Sequence, residues 1–220
     1  MKQDKSAKPV KAVKKEKKEK VQPIYPTEIV AIIDRSGSME SVKDDAIGGF
    51  NAFLAEQQKL PDKATFTLIE FNHNAEIKYN GVDISEVKPY TVATYIPEGM
   101  TALYDAVGKG IGEASRRGEK RKVIVAILTD GHENSSHEVT KKQVSDMIAK
   151  YTEAGWAFIF LAAGFSQFDA EKMGASIGIR ADSTMSMSHN AIREKGFSSM
   201  SRATSSYRSS GHVDENWRQK

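Results

Sequence analysis

The sequence predicts a three-layer α/β/α fold whose sheet is mostly parallel, with one antiparallel strand at its edge. Three observations support this prediction. Short apolar runs alternate along the chain with segments whose apolar residues recur at spacings of three and four, which is the order of an α/β fold. Most of these runs are nearly continuous, as in strands covered on both faces. Right-handed crossovers between such strands produce a mostly parallel sheet with helices on both sides.

Five apolar runs are predicted to form the strands. Four are expected to be parallel, and they are Ile29 to Ile33, Phe66 to Phe71, Val123 to Leu128 and Trp156 to Ala163. The fifth, Ala75 to Tyr79, alternates apolar and charged residues and closely follows Asn72-His73-Asn74, which predicts an antiparallel edge strand after a tight turn. A short final strand is expected at Ile177 to Ile179.

Helical periods separate these runs. Apolar residues lie on one face of the segments 42–54, 103–114 and 144–151. Further along, Ser166 is expected to cap a short helix, and a closing helix is expected within 182–202. The serine-rich segment that follows holds little apolar surface, so residues 205–220 are predicted to be a flexible tail. Within it, Trp217 is a candidate either for packing on the body or for anchoring a partner.

Composition limits the chemistry that the chain can perform. The absence of cysteine excludes disulfides, thiolate metal sites and cysteine nucleophiles. No run approaches 18 consecutive apolar residues, so a membrane-spanning helix is not expected.

Charge is divided unevenly along the chain. The first 20 residues hold nine lysines and three acidic residues, whereas the other 200 hold 23 basic and 26 acidic side chains. Residues 1–26 are therefore predicted to be a disordered lysine-rich arm and linker, and residues 27–204 the folded domain. The arm is a candidate contact for nucleic acid, anionic lipid or an acidic partner. It contains no aromatic residue among its lysines, so it is not expected to stack on bases by itself.

Oxygen-bearing side chains cluster where the strands of this sheet should end. Asp34, Ser36 and Ser38 follow the first strand, Asp130 follows the central one, and Thr101 precedes the second periodic helix. Ligands of open α/β sheets bind at such loops. An oxygen-only donor set suits Mg²⁺, with Mn²⁺ or Ca²⁺ as alternatives. Because only two of the donors are charged, a bound cation would stay electrophilic and could bind an acidic side chain of a partner.

Other interpretations of these loops stay open. Ser36 or Ser38 could simply cap a helix that starts near Met39, and Thr101 could cap the helix that contains Leu103. Helix N-termini without a metal would favour an anion such as phosphate. Arg35 fits beside a cation only if its guanidinium points away from the site. Glu98 and Glu133 are expected to be solvated loop acids.

Three motifs in this order resemble the von Willebrand factor A family, which shares its fold with integrin inserted domains. They are DRSGSM after an apolar strand, GMTALYDAV in the middle of the chain and ILTDG after a later strand. The resemblance covers roughly residues 27–180 and implies a Rossmann-like fold with a metal-ion-dependent adhesion site (MIDAS). In that site the metal ligands would be Asp34, Ser36, Ser38, Thr101 and Asp130.

The resemblance implies a metal-dependent protein–protein interaction module that binds a partner's Asp or Glu through the MIDAS cation. Within this interpretation we expect a bacterial or phage multi-subunit assembly, no catalysis, and a location in the cytoplasm or the phage virion, since the chain has no cysteine and no secretory signal. Two alternatives are a nucleic-acid-associated protein that uses the basic arm and a metal-assisted phosphohydrolase.

Overall fold

In the part of the chain that the structure describes, six strands form one sheet. They are β1 (Thr27–Asp34), β2 (Ala64–Phe71), β3 (Ala75–Asp83), β4 (Lys122–Thr129), β5 (Ala157–Ala163) and β6 (Thr184–Met187). Their order across the sheet is β3-β2-β1-β4-β5-β6. β3 runs antiparallel to β2, and all other neighbours in this order are parallel. The predicted mostly parallel sheet with one antiparallel edge strand is confirmed.

The structure is a computed structural model and describes residues 26–118 and 121–219. The disorder predicted for the lysine-rich arm falls on residues 1–25, which lie outside the described residues.

Helices cover both faces of the sheet. They are α1 (Lys43–Gln58), α2 (Leu103–Ser115), α3 (Lys141–Glu153), α4 (Gln167–Ser176) and α5 (Ser198–Ser210). Alternate residues of each strand point to opposite faces, so Ile29 and Ile33 pack in the core with α1 and α5, whereas Ile32 packs with α2, α3 and α4. The three layers are as predicted. No helix in the described part of the chain is both long and apolar enough to cross a membrane.

The last strand lies later in the chain than predicted. Ile177 follows α4 directly and Ile179 lies in the turn after it, where both side chains are buried. β6 forms instead within the segment predicted to be a closing helix, and a π-helical turn (Ile192–Phe197) then leads into α5. A strand of four residues reading Thr-Met-Ser-Met has no apolar run to identify it, and its pairing with β5 determines its place.

The prediction of a flexible tail over 205–220 is wrong for the residues that the structure describes. α5 continues through Ser210. Arg208 is buried and donates a hydrogen bond to the carboxylate of Asp62 at 2.9 Å. Trp217 is only 2% exposed, and its indole N–H donates to the carbonyl oxygen of Asp182 at 3.1 Å. A few large side chains therefore anchor a segment whose composition is otherwise typical of disorder.

We expect Trp217→Ala to lower the free energy of unfolding by about 3 to 5 kcal/mol, because it removes a buried aromatic ring and leaves a cavity. Phe168→Ala is the matched control, since Phe168 is 74% exposed and its truncation should change stability by less than about 0.5 kcal/mol. Urea unfolding followed by circular dichroism measures both. Equal, small effects of the two substitutions would show that the C-terminal segment does not pack on the domain.

Candidate metal centre

Asp34 ends the central strand β1, and its side chain is fully buried. Its Oδ1 accepts a hydrogen bond from the main-chain N–H of Ser36 at 2.7 Å, and its Oδ2 accepts one from the Thr129 hydroxyl at 2.5 Å. The hydroxyl of Tyr95 donates to the carbonyl oxygen of Asp34 at 2.6 Å. The carboxylate is therefore held both by its own loop and by the neighbouring strand β4.

Two serines connect this loop to Asp130. The hydroxyl oxygens of Ser36 and Ser38 lie 3.1 Å apart, and the Ser38 hydroxyl donates to Oδ1 of Asp130 at 2.6 Å. Asp130 directly follows β4, which pairs with β1 in parallel. Four of the five predicted ligands are thus joined in one chain of short contacts.

Thr101, the fifth predicted ligand, comes from the segment between β3 and α2 and lies against the loop after β4. Its N–H donates to Oδ1 of Asn134 at 2.8 Å, and its carbonyl oxygen accepts from the Asn134 N–H at 3.0 Å. A Cβ atom added to Gly131 would lie 2.9 Å from the Thr101 hydroxyl oxygen, so glycine permits this close approach. The Thr101 hydroxyl therefore lies beside the residue that follows Asp130.

Helix capping does not occupy these hydroxyls. Ser36 precedes a 3₁₀ turn (Gly37–Val42) but makes no capping hydrogen bond through its side chain to a described residue, and α2 begins after Ala102 rather than after Thr101. The first N–H groups of α2 are bound from another loop, because Tyr104 donates to Oε2 of Glu133 at 3.0 Å.

Glu133 is not the solvated loop acid that the sequence predicts. Besides the Tyr104 N–H, its carboxylate accepts hydrogen bonds from the N–H groups of Ser135 (2.9 Å) and Ser136 (2.7 Å) and from the Ser136 hydroxyl (2.7 Å). Glu133 therefore holds the loop after β4 against the start of α2.

Arg35 points away from the candidate centre, as a cation site beside it requires. Its guanidinium contacts the carboxylates of Glu76 at 2.8 Å, Glu98 at 3.5 Å and Glu70 at 3.7 Å. The positive charge next to Asp34 in the sequence is thus directed toward other acidic groups.

The two carboxylates of the centre are poorly suited to burial without a compensating charge. Burial raises the pKa of Asp34 to about 6, and the hydrogen bonds from Thr129 and Ser36 oppose it only in part. Burial also raises the pKa of Asp130. Oδ2 of Asp130 is buried and has no hydrogen-bond partner among the described residues. A divalent cation would satisfy this oxygen and offset both charges, so the donor set fits such an ion.

The fit depends on hydroxyl groups. Within residues 26–118 and 121–219, no group of three or more histidine, aspartate or glutamate side chains is placed to hold a metal ion. A cation bound here would therefore take neutral serine and threonine oxygens together with two carboxylates, which is a donor set for a hard ion.

Several supporting residues escape motif-based reasoning. Asp105 is buried in α2, and its carboxylate accepts from the N–H groups of His137 (2.9 Å), Glu138 (3.0 Å) and Val139 (2.7 Å). His189 places Nε2 3.6 Å from Oδ2 of Asp130. Two sequence signals could have pointed to supporting residues: Asp105 lies within the motif GMTALYDAV, and Thr129 directly precedes Asp130. Nothing in the sequence indicates the contacts of His189 or Tyr95.

The fold is shared with several solved structures. A von Willebrand factor type A protein from Catenulispora acidiphila superimposes with a TM-score of 0.56 at 15% identity, covering 82% of this chain and 43% of that one. The pilus adhesin SpaC from Lactobacillus rhamnosus GG superimposes with a TM-score of 0.59 at 15% identity, covering 82% of this chain and 30% of that one. The vWF domain of the type V pili tip protein Mfa5 from Porphyromonas gingivalis superimposes with a TM-score of 0.61 at 8% identity, covering 88% of this chain and 100% of that one. The chain thus spans less than half the length of the first two proteins.

A family model, rather than a single related protein, gives the family. No curated protein sequence matches the chain. The family model of the von Willebrand factor type A domain matches residues 28–191, which include all five predicted ligands. The chain therefore belongs to the von Willebrand factor type A domain family.

Proposed function

We propose that this domain binds a protein partner through a divalent cation held by Asp34, Ser36, Ser38, Thr101 and Asp130. The observation that carries the proposal is the chain of oxygens that runs from the first loop to Asp130 and ends in a buried carboxylate oxygen with no hydrogen-bond partner among the described residues. Von Willebrand factor A domains are known as protein-interaction modules, which supports a binding role.

The residues of this centre favour an acidic ligand. When bound, Mg²⁺, or Mn²⁺ or Ca²⁺ in its place, supplies a positive centre that an Asp or Glu side chain of a partner can approach. Asp34 and Asp130 contribute two negative charges, and the three hydroxyls contribute none, so a divalent ion there keeps its attraction for a further carboxylate. Arg35 is engaged by Glu76 and Glu98 and leaves the acidic side chains of the centre free for the cation.

We propose binding without catalysis, because the roles named for structural neighbours are those of an adhesin, a pilus tip protein and a byssus matrix protein. A bacterial or phage assembly as the setting, and the cytoplasm or the virion as the location, stay predictions from the sequence.

We expect Mg²⁺ to raise the free energy of unfolding, by about 2.7 kcal/mol at 100 times its Kd, because it binds only the folded domain. Ser38→Ala removes a donor and should weaken Mg²⁺ binding by about 10-fold or more. Ser176→Ala changes an exposed serine at the end of α4, whose hydroxyl donates to the carbonyl oxygen of Met173 in the same helix, and should have no effect. Isothermal titration calorimetry and thermal unfolding with and without EDTA measure these effects. Identical Mg²⁺ binding by the wild type and both variants would contradict the proposed centre.

We expect partner binding to require both the cation and Asp130. Proteins captured from the native host on the wild-type chain in Mg²⁺ should be lost in EDTA and on Asp130→Asn, because the partner's carboxylate then has no cation to bind. Asp146→Asn is the matched control, since Asp146 is an exposed aspartate of α3. Retention of the same partners under all conditions would argue against a metal-bridged contact.

Mg²⁺-dependent hydrolysis of p-nitrophenyl phosphate that Asp130→Asn abolishes would favour the phosphohydrolase alternative instead.

A further inference from the structure

The segment that follows β6 emerges at the same edge of the sheet as the candidate metal centre. β4, β5 and β6 are parallel neighbours, and Ala162 of β5 pairs with Thr129 on one side and with Ser186 on the other. Asp130 therefore leaves the sheet one residue after this level, and His189 lies three residues after it. The register of the sheet thus places an imidazole at the edge that carries the proposed cation ligands.

A glycine lets the side chain of His189 lie across the end of β5. The N–H of Gly164, just after β5, donates to the carbonyl oxygen of Met187 at 2.7 Å and so joins the two segments. A Cβ atom added to Gly164 would overlap the His189 ring, and the φ of +80° at this position is one that favours glycine. The imidazole therefore occupies space that any other residue at position 164 would fill.

His189 faces the one oxygen of the centre that lacks a hydrogen-bond partner among the described residues. Its Nε2 lies 3.6 Å from Oδ2 of Asp130, whose side chain is fully buried, whereas the His189 side chain is 47% exposed. This distance is too long for a hydrogen bond. The two bonds of about 2.1 Å that join a divalent ion to a nitrogen and an oxygen span up to about 4.2 Å. The spacing of the two atoms therefore suits a shared cation better than a direct contact.

The other oxygen of the same carboxylate is already engaged. Oδ1 of Asp130 accepts a hydrogen bond from the Ser38 hydroxyl at 2.6 Å, which leaves Oδ2 on the side of His189. The contact is a pair, in keeping with the absence of any metal-holding group of three histidine or acidic side chains in the described part of the chain. Hydroxyl oxygens would thus stay among the neighbours of a nitrogen ligand.

We propose that Nε2 of His189 is a further ligand of the cation in this centre, so that the centre binds a divalent transition-metal ion such as Mn²⁺ more tightly than Mg²⁺ or Ca²⁺. The inference rests on the cation site proposed above and deepens it. Mg²⁺ and Ca²⁺ take oxygen ligands, whereas an imidazole nitrogen suits transition metals. The five oxygen donors alone leave the choice among the three ions open, and a nitrogen donor narrows it.

The direct test asks whether a nitrogen is bound to the metal. Mn²⁺ is added to the full chain, and electron spin-echo envelope modulation detects ¹⁴N nuclei coupled to it. We expect the modulation of a directly bound imidazole in the wild type and its loss in His189→Ala. His212→Ala is the matched control, because it removes an exposed histidine that follows α5, and it should keep the modulation.

Selectivity is tested by the dissociation constants of Mn²⁺ and Mg²⁺, measured by the electron paramagnetic resonance signal of free Mn²⁺ and by competition with Mg²⁺. Loss of a residue that only supports a metal ligand already weakens binding 10- to 100-fold, so His189→Ala should weaken Mn²⁺ binding by at least about 10-fold. Mg²⁺ binding should change by less than about 3-fold, because Mg²⁺ gains little from a nitrogen donor. His212→Ala should change neither constant.

The outcomes separate this inference from the cation site itself. Mn²⁺ that binds the wild type without a coupled nitrogen would overturn the role of His189 and leave the oxygen ligands in place. Equal losses of Mn²⁺ and Mg²⁺ affinity in His189→Ala would also overturn it, since a merely structural role affects both ions. A wild type that binds neither ion would overturn the proposed centre as well. Should His189→Ala fail to fold, as judged by circular dichroism, the modulation in the wild type decides.

Discussion

The buried carboxylate of Asp34 at the end of the central strand imposes the main constraint on this structure. A carboxylate taken out of water is strongly destabilising unless hydrogen bonds and opposite charge compensate for it. The N–H of Ser36 and the hydroxyl of Thr129 provide hydrogen bonds here, and both depend on how β1 and β4 are aligned. Ile33 pairs with Leu128, which sets Asp34 level with Thr129; a slip of one residue would turn Thr129 to the other face. The convergence of the loops is therefore a consequence of the register of the sheet.

A second set of carboxylates positions the loops around that centre. Asp105 accepts three main-chain N–H groups from residues 137–139, and Glu133 accepts N–H groups from the start of α2 and from its own loop. The main-chain N–H groups of a loop lack the hydrogen-bond acceptors that a neighbouring strand provides in a sheet. The carboxylates of Asp105 and Glu133 accept these hydrogen bonds instead. Thr101, which exchanges two hydrogen bonds with Asn134 of the same loop, is thereby held beside the residue that follows Asp130.

The sequence predicts an element correctly where its pattern of apolar residues repeats, and it fails where a single long-range contact determines the local structure. The continuous apolar runs identify β1 and β4, because a strand buried on both faces needs apolar residues at nearly every position. The apolar spacing of three and four identifies α2. β6 has four residues of mixed polarity, and its parallel pairing with the free edge of β5 determines that it forms a strand. The end of α5 is held by Arg208 and Trp217, whose partners lie 146 and 35 residues away. The proposed ligand set can be read from DRSGSM, GMTALYDAV and TDG, but the contacts of Glu133 and His189 cannot, since only the folded chain brings their partners near.

Parallel strands give this protein two chemically different edges. Residues that follow strands meet at one edge and residues that precede them meet at the other, so the acidic loops after β1 and β4 are separated from the basic segments before β2 and β4. An eight-residue strand spans roughly 26 Å, about three times the Debye length of roughly 8 Å at physiological ionic strength. Charges at the edge where the strands begin are therefore largely screened from Asp34 and Asp130.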